Sequence, residues 1–160
     1  MTTHGQCTEK CGHVESRKKW PPGPWNNEPD RVEFQHAGLQ CLLHRARGHW
    51  CGYVGLPPSH PLHGKDEGGI DVEVHGGLTY AAACQGPICH VPAEGEDETL
   101  WWFGFDCAHC GDVDPESLTY LTGGYRDGWY KNVDYVTHET KRLAEQLQAC
   151  GLASPAGGGE

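Results

Sequence analysis

Three short apolar-rich runs, Arg31 to Gln35, Gln40 to His44 and Trp50 to Leu56, follow one another with only a few residues between them. The two breaks, His36-Ala37-Gly38 and Arg45-Ala46-Arg47-Gly48, each carry a glycine, which supplies the positive φ that tight hairpins require. The segment is therefore expected to form a three-stranded antiparallel meander, and whatever else the chain contains must pack against it.

Downstream, Pro57 to Gly69 reads as a long Pro-, Gly- and His-rich loop, followed by Ile70-Asp71-Val72-Glu73-Val74-His75. Its strict alternation predicts a strand with Ile70, Val72 and Val74 on one face and Asp71, Glu73 and His75 on the other. The same parity applied to Trp101-Trp102-Phe103-Gly104-Phe105-Asp106 groups Trp101, Phe103 and Phe105, and leaves Trp102, Gly104 and Asp106 opposite them. Gly104 should leave an open patch just before the acid. Only the C-terminal segment has helical periodicity, with Val133, Val136, Thr140, Leu143, Leu147 and Cys150 at three- and four-residue steps, Asn132 as N-cap and Gly151 as the stop. Strands first and a helix afterwards predict an α+β fold, an antiparallel β-sheet (meander plus further strands) packed by one C-terminal helix.

The length of 160 residues suits one domain. Residues 1–19 lack hydrophobic periodicity and are expected to be a flexible arm, residues 20–150 the α+β domain, and residues 151–160 a disordered tail. With 22 acidic against 12 basic residues the net charge is −10, a poor match to nucleic acid or an anionic membrane, and the basic cluster Arg17-Lys18-Lys19 reads as a solvated tail. No apolar run is long enough to span a bilayer, and polar residues stand where a signal peptide would need an apolar core, so the expectation is a soluble, cytoplasmic protein. In that compartment nine cysteines and eleven histidines read as metal ligands, reactive groups or buried small residues rather than a disulfide framework.

Chemistry is most legible where the aromatic strand runs into Asp106-x-x-His109-x-x-Asp112. Two carboxylates and an imidazole can bind zinc or manganese, or divide into a metal ligand and a general base. His75-Gly76-Gly77 is the expected partner, with His75 as a further ligand and the glycine backbone as an anion contact. The expected metal set is His75, Asp106, His109 and Asp112. A rival set of thiolate and imidazole ligands for structural zinc is Cys84, Cys89, His90 and Cys107, with Cys110 as a further thiol. A plain folding turn at Gly111-Asp112-Val113-Asp114-Pro115 fits the same residues, and a nucleophile at Cys51, Cys107 or Ser59 activated by a histidine is a further reading. Nothing matches a phosphate-binding loop, a dinucleotide fingerprint or a zinc-protease helix.

These motifs, Gly23-Pro24-Trp25, Glu28-Pro29-Asp30-Arg31-Val32-Glu33, Cys51-Gly52-Tyr53-Val54, His60-Pro61-Leu62, Val74 to Tyr80, Cys84-Gln85-Gly86, Cys89-His90-Val91-Pro92 and Phe105 to His109 with Gly111-Asp112, span about 20 to 148. In them the chain resembles a group of small proteins encoded by actinobacterial phages and related bacterial genomes, a group without an established activity. The resemblance implies a phage or prophage setting, in the host cytoplasm. It also favours Asp106 and His109 over the Cys107/Cys110 pair, because Cys110 is not part of the shared pattern. Two functions are expected from the whole. One is a metal-dependent hydrolase of a small phosphorylated or nucleotide-like substrate, with Asp106, His109 and His75 catalytic. Its ligand contacts include the Gly76 and Gly77 backbone. The other is a non-catalytic, counter-defence protein that sequesters a nucleotide-like host signal or masks a host protein, with Trp102, Tyr80 and Tyr53 as the stacking surface that contacts the ligand. The partner is accordingly a small molecule or a host protein, and self-association stays open.

Overall fold

Both short breaks close as their glycines predict: Ala37 and Gly38 have φ of 53° and 75°, and Arg47 and Gly48 have 50° and 93°. Paired positive φ values give the turn whose twist matches that of the flanking strands. In a computed structural model of the chain, which describes Arg17 and residues 19–95, 99–119 and 128–152, these turns join β1 (Arg31–His36), β2 (Leu39–Ala46) and β3 (His49–Leu56). β4 (Tyr80–Ala83) and β5 (Trp101–Asp106) complete a five-stranded antiparallel sheet in the order β1-β2-β3-β5-β4. A parallel pair, β6 (Asp112–Val113) and β7 (Trp129–Tyr130), lies beyond the end of β5. The helices are α1 (Pro115–Thr119) and α2 (Val133–Leu152). The fold is α+β, as the order of patterns predicts.

The parity of each strand sorts its side chains onto two faces. Leu43, Val54, Leu56, Phe103 and Phe105 meet Val136, Leu143, Ala144 and Leu147 of α2. Leu42, Cys51, Tyr53 and Trp102 form the opposite face, where Ile88 from the loop after β4 plugs them. The helix crosses β3 at a glycine: a Cβ on Gly52 would overlap Thr140 Oγ1 and the Phe105 ring, so the small residue sets how closely α2 lies on the sheet. Asn132 caps the helix as predicted, its Oδ1 accepting from the N–H of Tyr135 at 2.9 Å. At the other end α2 continues past the predicted stop at Gly151. Buried His60 takes the N–H of Leu62 on Nδ1, and so donates from Nε2 to the carbonyl of Leu147 at 2.8 Å. His60-Pro61-Leu62 is thus a helix-end device.

Residues 70–75 alternate as expected, with Ile70, Val72 and Val74 packed on the core, but they form no strand. Instead of a strand, Gln146 of α2 supplies the partner: its amide oxygen accepts from Glu73 N–H at 2.7 Å and its amide nitrogen donates to Glu73 O at 2.8 Å. Alternation reports which side faces the core, and it is blind to whether a neighbouring strand exists.

Before β1, the Trp20 to Asp30 segment is anchored by charge. Arg45 has a fully buried side chain between the rings of Trp20 and Trp50, 5.6 and 4.5 Å from their centroids, and pairs with Glu28 at 3.2 Å and Asp30 at 3.1 Å. Glu28 also accepts from Tyr130 O–H and from the N–H of Val133, the first residue of α2. Arg17 belongs to this cluster as well, bridging Asp30 and the carbonyls of Trp25 and Glu28. The predicted arm is described only there; its other residues, Lys19 apart, and the predicted tail beyond Leu152 lie outside the described residues. Among the described residues no helix is long and apolar enough to cross a membrane.

Candidate functional site

Where β5 ends, the chain turns through Cys107 to Gly111 and enters β6, which brings Asp106, His109 and Asp112 to one corner. The opposite wall of that corner is the turn Val74 to Gly77, closed by Gly77 N–H donating to Val74 O at 2.9 Å, with Gly76 at φ 68°. A Cβ on Gly76 would overlap the His109 ring. The glycine is needed there twice, for its backbone angle and for the imidazole that lies on it.

Two histidine–carboxylate pairs result. His75 contacts Asp112 Oδ2 through Nε2 at 2.8 Å and the Tyr135 hydroxyl through Nδ1 at 2.9 Å. Asp112, with a side chain only 3% exposed, also accepts from the backbone N–H of His109 at 3.0 Å and lies 3.3 Å from Lys131 Nζ. Burial alone would raise its carboxyl pKa. The bonds from His75 and from the His109 N–H, together with the Lys131 ammonium, outweigh that and hold it below the ordinary carboxylate value. The second pair is Asp106 and His109, with Nε2 and Oδ1 3.3 Å apart, at ion-pair distance but off the line of a hydrogen bond. Asp106 is fixed from two sides, by Thr79 Oγ1 on Oδ2 at 2.9 Å and Ala108 N–H on Oδ1 at 3.0 Å. His109 Nδ1 has no hydrogen-bond partner among the described residues.

Beside this corner is an open cleft of about 660 Å³ whose walls include Arg47, His49, His109, Asp112, Asp114 and Glu116. Burial lowers the His49 imidazole pKa against the opposing pull of Asp106, Asp114 and Asp112. Its ring is thereby kept neutral more readily than a solvated one.

The four residues expected as a metal set do gather at one corner, but as two histidine–carboxylate pairs rather than as an open ligand shell, and both nitrogens of His75 already have partners. Among the described residues no group of three or more His, Cys, Asp or Glu side chains is arranged to hold a metal ion. The rival zinc set fails on topology. Cys84 and Cys89 are joined as a disulfide across a tight hairpin, and Cys84 follows Ala83, which pairs with Trp101 at the start of β5. Cys107 follows the end of that six-residue strand, about 20 Å away at the usual rise per residue. His90 is near Glu33 instead, at 3.8 Å. The disulfide also removes Cys84 and Cys89 from the thiols expected as metal ligands, reactive groups or buried residues, while Cys41, Cys51, Cys107, Cys110 and Cys150 are free. As nucleophiles, Cys51 and Cys107 are unsuited: burial pushes the Cys51 thiol up to about 12 and raises that of Cys107 as well.

The aromatic ligand contacts are corrected too. Trp102 is fully buried and Tyr53 nearly so, because the Tyr53 ring fills the space that Gly104 was expected to leave open. Tyr80 packs edge-on against Tyr53 at 5.2 Å, and none of the three lines the cleft. Gly77 N–H is engaged by Val74 and is not free for an anion. Sequence reasoning missed Thr79, Lys131 and Tyr135, which hold the two carboxylates and His75, and Arg47 and His49 on the cleft wall. Thr79 and Arg47 stand in segments singled out for other reasons, and the five come together only through the strand order and the chain around the start of α2.

Sheet, helix and corner together define an α+β domain with a histidine–carboxylate cleft at one end of its central strands. Comparison with protein-family models, with curated proteins and with solved structures found no match.

Proposed function

We propose that the protein is a hydrolase of a small polar substrate bound in this cleft, with His109 as the proton-transferring group and Asp106 as the carboxylate that orients it. The observation that carries this reading is the Asp106–His109 pair. The carboxylate is pinned by Thr79 and Ala108, it faces Nε2, and the ring lines the cleft with Nδ1 unpartnered among the described residues. A histidine with one nitrogen facing a fixed carboxylate can take a proton on the other and have the resulting charge stabilised. His75 and Asp112 act through position, since Asp112 grips the backbone of His109. The proposed setting, on the motif resemblance, is an actinobacterial phage or prophage.

A metal-dependent form of the same reaction would add zinc or manganese at Asp106 and His109, and would draw in His75 only if it released Asp112 or Tyr135. The test is therefore turnover of p-nitrophenyl phosphate, bis-p-nitrophenyl phosphate and p-nitrophenyl acetate with chelator, zinc or manganese present. Asp106→Asn and His109→Ala should each lower turnover about 10²–10⁴-fold, the usual worth of general acid–base catalysis, with little loss of thermal stability. Loss of stability matching the loss of turnover would make the corner a folding device. A ligand bound in the cleft and recovered intact after denaturation would favour the non-catalytic reading.

A further inference from the structure

The hairpin turn at Arg47 has a twin. Ala37-Gly38 and Arg47-Gly48 both close with two positive φ values, and the first residue of each has nearly the same angle, so alanine suffices there, yet position 47 carries an arginine and lines the cleft. Arg17, Arg31, Arg45 and Arg142 each pair with a carboxylate. Arg47, in a chain with an excess of acids, pairs with none among the described residues. His49, two residues on, lines the same cleft, and its ring makes no hydrogen bond to the described residues. The wall's acids are otherwise engaged. Asp112 is held by His75, His109 and Lys131, Asp114 accepts both the N–H and the O–H of Ser117, and Glu116 has a partner of its own.

We propose that the cleft takes an anionic oxygen group, phosphoryl or carboxylate, on the guanidinium of Arg47 and the imidazole of His49, beside His109. Arginine's fork matches such a group in two parallel N–H bonds, and a neutral imidazole adds one donor without requiring a second charge. The inference extends the hydrolase reading by naming the substrate's charge, and it rests on that reading only for the reaction.

The test is titration of the full chain with inorganic phosphate and, separately, with acetate, followed by isothermal calorimetry and by amide shifts of residues around the cleft. Saturable binding of either anion, weakened at least tenfold in Arg47→Ala and less in Arg47→Lys, is the expected result. The alanine variant should fold normally, because Ala37 already holds the equivalent backbone angle. Two results would overturn the proposal: no saturable binding of either anion, or equal binding by wild type and Arg47→Ala. The two readings fail separately. Anion binding without turnover leaves this inference standing and removes the hydrolase. Turnover of p-nitrophenyl phosphate that is the same in Arg47→Ala as in wild type removes this inference and leaves the hydrolase.

Discussion

Replacing Asp112 by asparagine keeps the size of the side chain and removes its charge. Oδ2 receives the contact from His75 and the N–H of His109, while Oδ1 faces Lys131. An asparagine has one oxygen for these two sides. If it serves His75 and His109, its NH₂ faces an ammonium; if it serves Lys131, two N–H donors lose their acceptor. Removing one partner from a buried ion pair costs about 3–5 kcal/mol, and the partial exposure of His75 and Lys131 puts this case at the low end, about 3 kcal/mol. For a chain of 160 residues that is a fall of roughly 10 °C in Tm. The pH dependence has a definite sign. A carboxyl held below its ordinary value of 3.8 contributes stability that is complete above that pH and lost as pH falls through the lower, folded-state value. The stability gap between wild type and Asp112→Asn should therefore persist at neutral pH and close below pH 3.8, measured by urea unfolding with circular dichroism at each pH. A gap under about 0.5 kcal/mol at neutral pH, the level of an ordinary surface change, would mean that Asp112 does not hold this corner by its charge.

Three further outcomes follow from the same geometry. Gly52→Ala drives a methyl into Thr140 and Phe105 and should cost about 1–3 kcal/mol by overpacking, read as a lowered urea midpoint. Glu28→Gln leaves Arg45 buried with a weaker acceptor and loosens the first turn of α2, so a loss of about 3 kcal/mol is expected in the same assay. Mild reduction followed by alkylation and mass spectrometry should label Cys84 and Cys89 in the folded protein, while buried Cys41, Cys51 and Cys107 stay unlabelled until unfolding.

The meander, the aromatic strand and the C-terminal helix were legible because each is written in local periodicity and in the residues at its ends, such as Asn132 and the two turn glycines. Residues 70–75 mark the limit of that language. Their alternation is real, but their backbone partner is the side chain of Gln146, more than seventy residues away in the chain. At the site, Asp106, His109, Asp112 and His75 were legible as chemistry-bearing residues in two short motifs, and Gly76 as a point of close approach. Their pairing was not, because Thr79, Lys131 and Tyr135 decide which atoms remain free, and those contacts depend on tertiary placement. The Cys84/Cys107 zinc set failed for the same reason: only the pairing of β4 with β5 puts the two thiols at opposite ends of β5.

Catalysis at this corner requires that His109 keep Nε2 toward the Asp106 carboxylate and Nδ1 for a ligand. Long-range proton–nitrogen NMR of the full chain reads the tautomer directly. The expected result is the Nε2–H form of His109 in the wild type and loss of that preference in Asp106→Asn. A wild-type His109 protonated on Nδ1 alone, or a tautomer unchanged by Asp106→Asn, would contradict it.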